Sequence, residues 1–168
     1  SLGVDVGGRR ILKESMAYLD ELGDQYRYTV VLISLGILAG GNGDYHLARA
    51  HFHRIVVLSR ELRQPWTTAD ALTNLGCVLS LQGDYASAQS HFEEAFRIYQ
   101  ERGSPVWSTD PLCALTENAI RQGDLPAARA GFARALENLR DAVGADAPET
   151  RRAERQAAGV AGAAASAG

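Results

Sequence analysis

Lysine is almost missing from this chain. Lys13 stands alone against sixteen arginines, which together with the abundant alanine points to a GC-rich genome and says nothing of mechanism. Positive charge of either kind is not in excess: the net charge is −3, so no basic field exists to gather phosphates, and direct contact with nucleic acid is not expected. Cysteine is scarce. Cys77 and Cys113 lie in apolar stretches and make no metal-type spacing, which points to a reducing, cytoplasmic setting. No run of eighteen apolar residues occurs, so no membrane-spanning helix is expected, and the start does not read as a signal peptide. The chain opens on Ser1 in place of methionine, which leads to the expectation of a piece of a longer protein. What remains is ample for a folded core, with 46% hydrophobic and 22% charged residues in 168.

The first positive signal is self-similarity. Gly43-Asp44-Tyr45, Gly83-Asp84-Tyr85 and Gly123-Asp124-Leu125 stand 40 residues apart. The same offset links Leu32, Leu72 and Leu112; Leu35, Leu75 and Leu115; Ala48, Ala88 and Ala128; and Phe52, Phe92 and Phe132. Within a unit, Leu72, Leu75, Gly76 and Leu79 fall at helical spacing on one face, as do Phe92, Ala95, Phe96 and Tyr99. The glycine between the two helices suits a left-handed end, and the aspartate after it suits the N-cap of the second helix. Pro65 and Pro105 repeat at the same offset between units, where proline can stop a helix, and Asp110-Pro111 reads as a cap followed by a first-turn proline.

Upstream, Leu12, Ser15, Met16 and Leu19 occupy the slots of Phe52, Ile55, Val56 and Ser59, so the chain opens on a second helix without its first. The spacing predicts helices over about 9–22, 27–41, 45–62, 67–82, 85–102, 109–122 and 125–141. These make a half repeat at 9–24 and repeats at 27–64, 67–104 and 107–142, all within one solenoid of residues 1–142. Residues 143–168 form an alanine- and glycine-rich tail, with an amphipathic helix expected over Pro148–Ala158 and flexibility beyond it.

Leu72, Leu75-Gly76, Ala88 and Phe92 together resemble the tetratricopeptide repeat, and the resemblance covers about residues 9–142. Leucine stands in place of the usual tryptophan at Leu32, Leu72 and Leu112, and Thr116 stands where glycine is usual. The period exceeds the roughly 34 residues common in the family. The longer variety is similar to that of large bacterial transcriptional regulators, signalling ATPases and some animal scaffold proteins. The resemblance implies an all-α fold, a right-handed superhelical solenoid of antiparallel helix pairs, and a role in binding protein segments.

In such a stack the first helices line a concave groove. With the leucine faces turned inward, the lining is Val30, Ile33 and Ile37 (with Gly40) in the first unit. In the second it is Asp70, Thr73, Asn74, Cys77 and Ser80, and in the third Asp110, Cys113, Glu117 and Arg121. The expected partner is a protein or peptide segment with apolar side chains near Ile33 and Ile37 and basic residues near Asp110 and Glu117. The competing reading has Ile33 and Ile37 packing on neighbouring helices and Glu117 pairing with Arg121 at i, i+4. A carboxylate clamp of the co-chaperone type is not expected: Asn74 alone matches, while Ile33, Ile37, Asp110 and Ala114 sit where its other groups belong.

Catalytic and cofactor chemistry is not expected either. His51 and His53 point about 200° apart on a helix and cannot share an ion. His51 and His91 occupy equivalent slots and would make at most a weak two-ligand site. Cys77 and Cys113 sit on helices about 8–10 Å apart, long for a disulfide. Gly40-Gly41-Asn42-Gly43 lacks the Lys-Ser/Thr of a phosphate loop. The sequence therefore reads as a non-catalytic recognition or ligand-sensing part of a larger regulatory protein, with no cofactor or metal. The alternative is self-association through the open N-terminal end, with Met16 and Leu19 exposed there.

Overall fold

The structure, a computed structural model, describes residues 2–104, 106–148, 150, 151 and 154, with side chains from Arg10 onward. Seven helices follow one another among these residues: α1 (Leu2–Glu21), α2 (Gln25–Gly41), α3 (Tyr45–Glu61), α4 (Pro65–Leu81), α5 (Tyr85–Glu101), α6 (Thr109–Gln122) and α7 (Leu125–Val143). No strand occurs among them, and each helix packs against the next in the chain. The fold is an all-α helical-repeat solenoid.

The hinges explain the regularity. At Gly43, Gly83 and Gly123 the backbone takes φ of +79°, +85° and +80°, which costs glycine nothing. The next residue then returns its N–H to the helix just ended, as in Asp44 N–H to the Ala39 carbonyl and Asp84 N–H to the Leu79 carbonyl, both at 2.9 Å. The same aspartates cap the helix to come: the Asp44 and Asp84 carboxylates each accept from the backbone N–H three residues on, at 3.2 Å, and Asp124 does so at 3.0 Å.

Geometrically the step is half the sequence period. The i→i−5 closure recurs at residues 24, 44, 64, 84, 104 and 124, every 20 residues, and α2, α3, α4 and α5 are each 17 residues long. Arg63 fills the glycine slot of one hinge, with φ of +53°.

One apolar core runs through the stack, from Leu32 and Phe52 through Leu72, Leu75 and Phe92 to Tyr99 and Ala114. Phe52 and Phe92 are buried, their rings pressed onto Gly36 and Gly76. Phe132, expected to match them, is only half-buried. Thr116 occupies the seat that Gly36 and Gly76 leave open, and no further helix pair follows α7 among the described residues.

Three local expectations are corrected. Pro65 opens α4 at its first position, where its missing N–H has no intrahelical partner to lose. The N-cap of α6 is Ser108, so Asp110 lies inside the first turn and Pro111 follows it there, buried. Leu19 is buried, and Met16 packs against the core, because α1 lies against α2; neither forms an exposed end. Pro105 and residues 155–168, with the flexibility expected of them, lie outside the described residues. Of the helix expected over Pro148–Ala158, the described Pro148, Thr150, Arg151 and Glu154 are helical. They are tied back by Arg140 to Glu154 at 2.7 Å and by the Thr150 hydroxyl donating to the Gly144 carbonyl at 2.8 Å.

Candidate recognition surface

Helix α4 packs against α3, α5 and α6, so only a strip of it meets solvent. Asp70 and Cys77 are open on that strip, Thr73 and Asn74 half-buried. Ser80, expected beside them, is buried, and its hydroxyl finds no hydrogen-bond partner among the described residues. It belongs to the packed side of α4, not to the lining. Asn74 turns back on its own helix, its amide donating to the Asp70 carbonyl at 2.9 Å, and Thr73 does likewise toward Ala69. On α6, Asp110, Cys113, Glu117 and Arg121 are all open to solvent.

The α4 and α6 strips are electrically one surface. Burial raises the Cys77 thiol to about 11, with Glu117 adding to the rise and Arg121 opposing it. Burial also raises Cys113, helped by Asp110 and Glu117. Both cysteines are exposed as residues, yet burial of the sulfur still penalises the thiolate. They are free, protonated and poor nucleophiles at neutral pH. Burial pushes Asp110 above the usual carboxylate range, and Asp70 pushes it further. Among the described residues neither Asp110 nor Glu117 makes an ion pair; the i, i+4 pairing of Glu117 with Arg121 is not formed.

The first unit contributes differently. Val30 and Ile37 are exposed, while Ile33 packs against the core, as the competing reading had it. Val30 instead joins Tyr18, Leu19, Tyr26 and Val31 around an apolar cavity of about 590 Å³ at the α1–α2 end.

Two features escaped the sequence reading. Trp66, at the start of α4, and Trp107, just before α6, are both exposed, and with Asp70 and Tyr99 they enclose a cavity of about 330 Å³. The signal was available: these are the only tryptophans of the chain, and both sit between units, where the core has no use for them. The second feature lies on the other side of α4. His46, Arg49, His53, Arg54 and His91 ring a cavity of about 740 Å³ between α3 and α5. His91 shares this cavity with His53. No group of three or more metal-ligating side chains occurs among the described residues.

This arrangement defines a helical-repeat scaffold with a solvent-open strip on α4 and α6 that carries Asp70, Asp110 and Glu117. Residues 27–101 match the tetratricopeptide repeat family and are tetratricopeptide repeats, which in general serve as protein-interaction scaffolds. Among solved structures, BtubC (BKLC) from P. vanneervenii superposes with a TM-score of 0.68 over 89% of this chain, at 18% identity. The chain spans 61% of the length of that structure, and the likeness concerns fold alone. No curated protein matches the chain. No described helix is long and apolar enough to cross a membrane.

Proposed function

We propose that the chain is a non-catalytic recognition module that holds a basic protein or peptide segment along the strip formed by α4 and α6. The carrying observation is the lack of counter-charge. Asp110 and Glu117 both face solvent without an ion-pair partner among the described residues, and Asp110 holds its proton more strongly than an ordinary aspartate because of burial and of Asp70. A cationic side chain laid beside Asp110 would relieve its repulsion with Asp70 and could pair with Glu117 as well, so the surface is suited to a basic partner. The free thiols fit a cytoplasmic setting. The 40-residue period fits the sensing part of a larger regulatory protein of the kind the sequence resembles.

The test is charge reversal against an array of short peptides of varied charge. Bound sequences should be rich in arginine or lysine, and binding should weaken with salt. Asp110→Lys with Glu117→Lys should lower affinity by roughly tenfold or more. Glu93→Lys, on the exposed side of α5, should not. Equal loss from Glu93→Lys would sink the assignment.

A second reading, self-association, is favoured by a different observation. Although Met16 and Leu19 are covered, Ile11, Tyr18, Leu22 and Tyr26 are each about 60% exposed or more at the α1–α2 end. Sedimentation equilibrium separates the two readings: Tyr18→Ser with Tyr26→Ser dissolves an assembly built there and leaves peptide binding intact.

A further inference from the structure

Both tryptophans of this chain stand at one seam, where α4 and α6 begin side by side. A buried tryptophan is ordinary; two indoles left 41% and 57% exposed around a shared cavity are not. Tyr99 forms the base. Its ring lies 5.7 Å from that of Trp66, tilted by 54°, and its hydroxyl donates to the Asp70 carboxylate. Tyr99 itself is buried, so the contact fixes Asp70 at the cavity wall. Asp110 is not one of the lining residues, but its charge reaches the Tyr99 hydroxyl, which burial, the Asp70 hydrogen bond and then the two carboxylate charges push upward. Among the described residues no basic side chain lines the cavity.

Aromatic faces attract cations through their quadrupole, and the two oxygens of a carboxylate such as Asp70 accept from forked N–H donors. A guanidinium group satisfies both at once. It is planar, so it lies against an indole. It is weakly hydrated, so entry costs it little, and its edge donors reach two acceptors. An ammonium group is compact and strongly hydrated and offers no face to stack. The volume, about 330 Å³, falls at the small end of ligand pockets, which run from about 300 to 1,000 Å³. We propose that the cavity between Trp66 and Trp107 is a receptor for a guanidinium group, supplied by an arginine of the segment that α4 and α6 bind. The source of that arginine rests on the groove reading; the cavity's preference for guanidinium does not.

The two indole N–H resonances of the labelled full chain report on this site alone. Acetyl-arginine-amide, acetyl-lysine-amide and acetyl-citrulline-amide are the probes, citrulline being the uncharged match for arginine. Arginine should shift both resonances saturably and bind roughly tenfold or more tightly than citrulline. Asp110→Asn should weaken arginine binding several-fold. Its lost repulsion with Asp70 and its lost favourable charge in the first turn of α6 oppose each other, so its melting temperature should stay close to the parent's. Trp107→Ala, at an exposed site, should keep the amide spectrum of the fold and lose the arginine response at Trp66.

Equal shifts with arginine and citrulline, or an undiminished response in both variants, would overturn the proposal, and lysine binding as tightly as arginine would overturn the choice of guanidinium. Arginine peptides whose binding survives Trp107→Ala would displace the arginine from this cavity while leaving the groove reading standing. A chain that binds acetyl-arginine-amide but no peptide would do the reverse.

Discussion

Thr116 and Gly131 share one seat. A Cβ on Gly131 would stand 2.5 Å from the Thr116 hydroxyl oxygen, which donates to the Leu112 carbonyl. In the two units upstream the size is reversed: Gly36 and Gly76 are the small partners, and a Cβ on either would meet the ring of Phe52 or Phe92 at 2.8 Å or 2.5 Å. The third unit has exchanged which helix supplies the space. Gly131→Ala should therefore cost about 1–3 kcal/mol, the usual range for overpacking. In a Thr116→Gly background most of that cost should vanish. A denaturant double-mutant cycle measures it, and additive losses would refute the contact.

The same contrast separates the phenylalanines. Phe92 is buried against Gly76 in the middle of the stack, whereas Phe132 is half-buried near its end. Phe92→Ala should cost about 3–5 kcal/mol and Phe132→Ala about half as much. Because repeats stabilise their neighbours, hydrogen exchange in Phe92→Ala should rise in α4 and α6 as well as α5. Equal midpoints for the two variants would refute the burial difference.

Arg63 holds a left-handed conformation that costs a residue with a side chain about 1–2 kcal/mol. Arg63→Gly relieves that cost but adds about 0.5–1 kcal/mol of chain entropy. The net expectation is a gain of roughly 0.5–1 kcal/mol by thermal or denaturant unfolding; a loss would show that the Arg63 side chain holds the hinge.

Acid should weaken the fold through histidine. Burial lowers His91, with Arg60 and His53 adding and Glu94 and Asp84 opposing. Burial also lowers His51, with Lys13 adding and Asp44 opposing. A lowered histidine stays neutral in the folded state while the unfolded chain takes up the proton. Stability is therefore full above the ordinary histidine pKa, about 6.5, and falls as pH drops through it. His91→Gln should flatten the slope of melting temperature against pH between about 7 and 5. An unchanged slope would place the acid sensitivity elsewhere.

The repeat was legible because it is written in residues that cannot be exchanged cheaply. Gly43, Gly83 and Gly123 need a left-handed backbone, the aspartates after them carry a cap bond, and Phe52 and Phe92 need a glycine opposite. The 20-residue half-step stayed hidden because Arg63-Gln64 and Gly103-Ser104 make the same closure without the Gly-Asp signature. The exposure of Asp70, Cys77, Asp110, Cys113, Glu117 and Arg121 was legible from the helical period, but the burial of Ser80 was not, since α4 is enclosed on three sides, a fact of packing and not of period. Trp66 and Trp107 were missed because they fall 41 residues apart, just off the repeat, and come together only through the seam.

The uniform hinge also makes the chain's length divisible. Excising residues 44–83 would fuse Gly43 to Asp84-Tyr85 and recreate the Gly-Asp-Tyr junction letter for letter. The cut ends belong to turns of the same closure, so no new loop has to be invented. Such a molecule can lengthen or shorten by whole modules through recombination between its own copies. The seam that joins Trp66 to Trp107 would survive only in those products that keep α4 and α6 as neighbours.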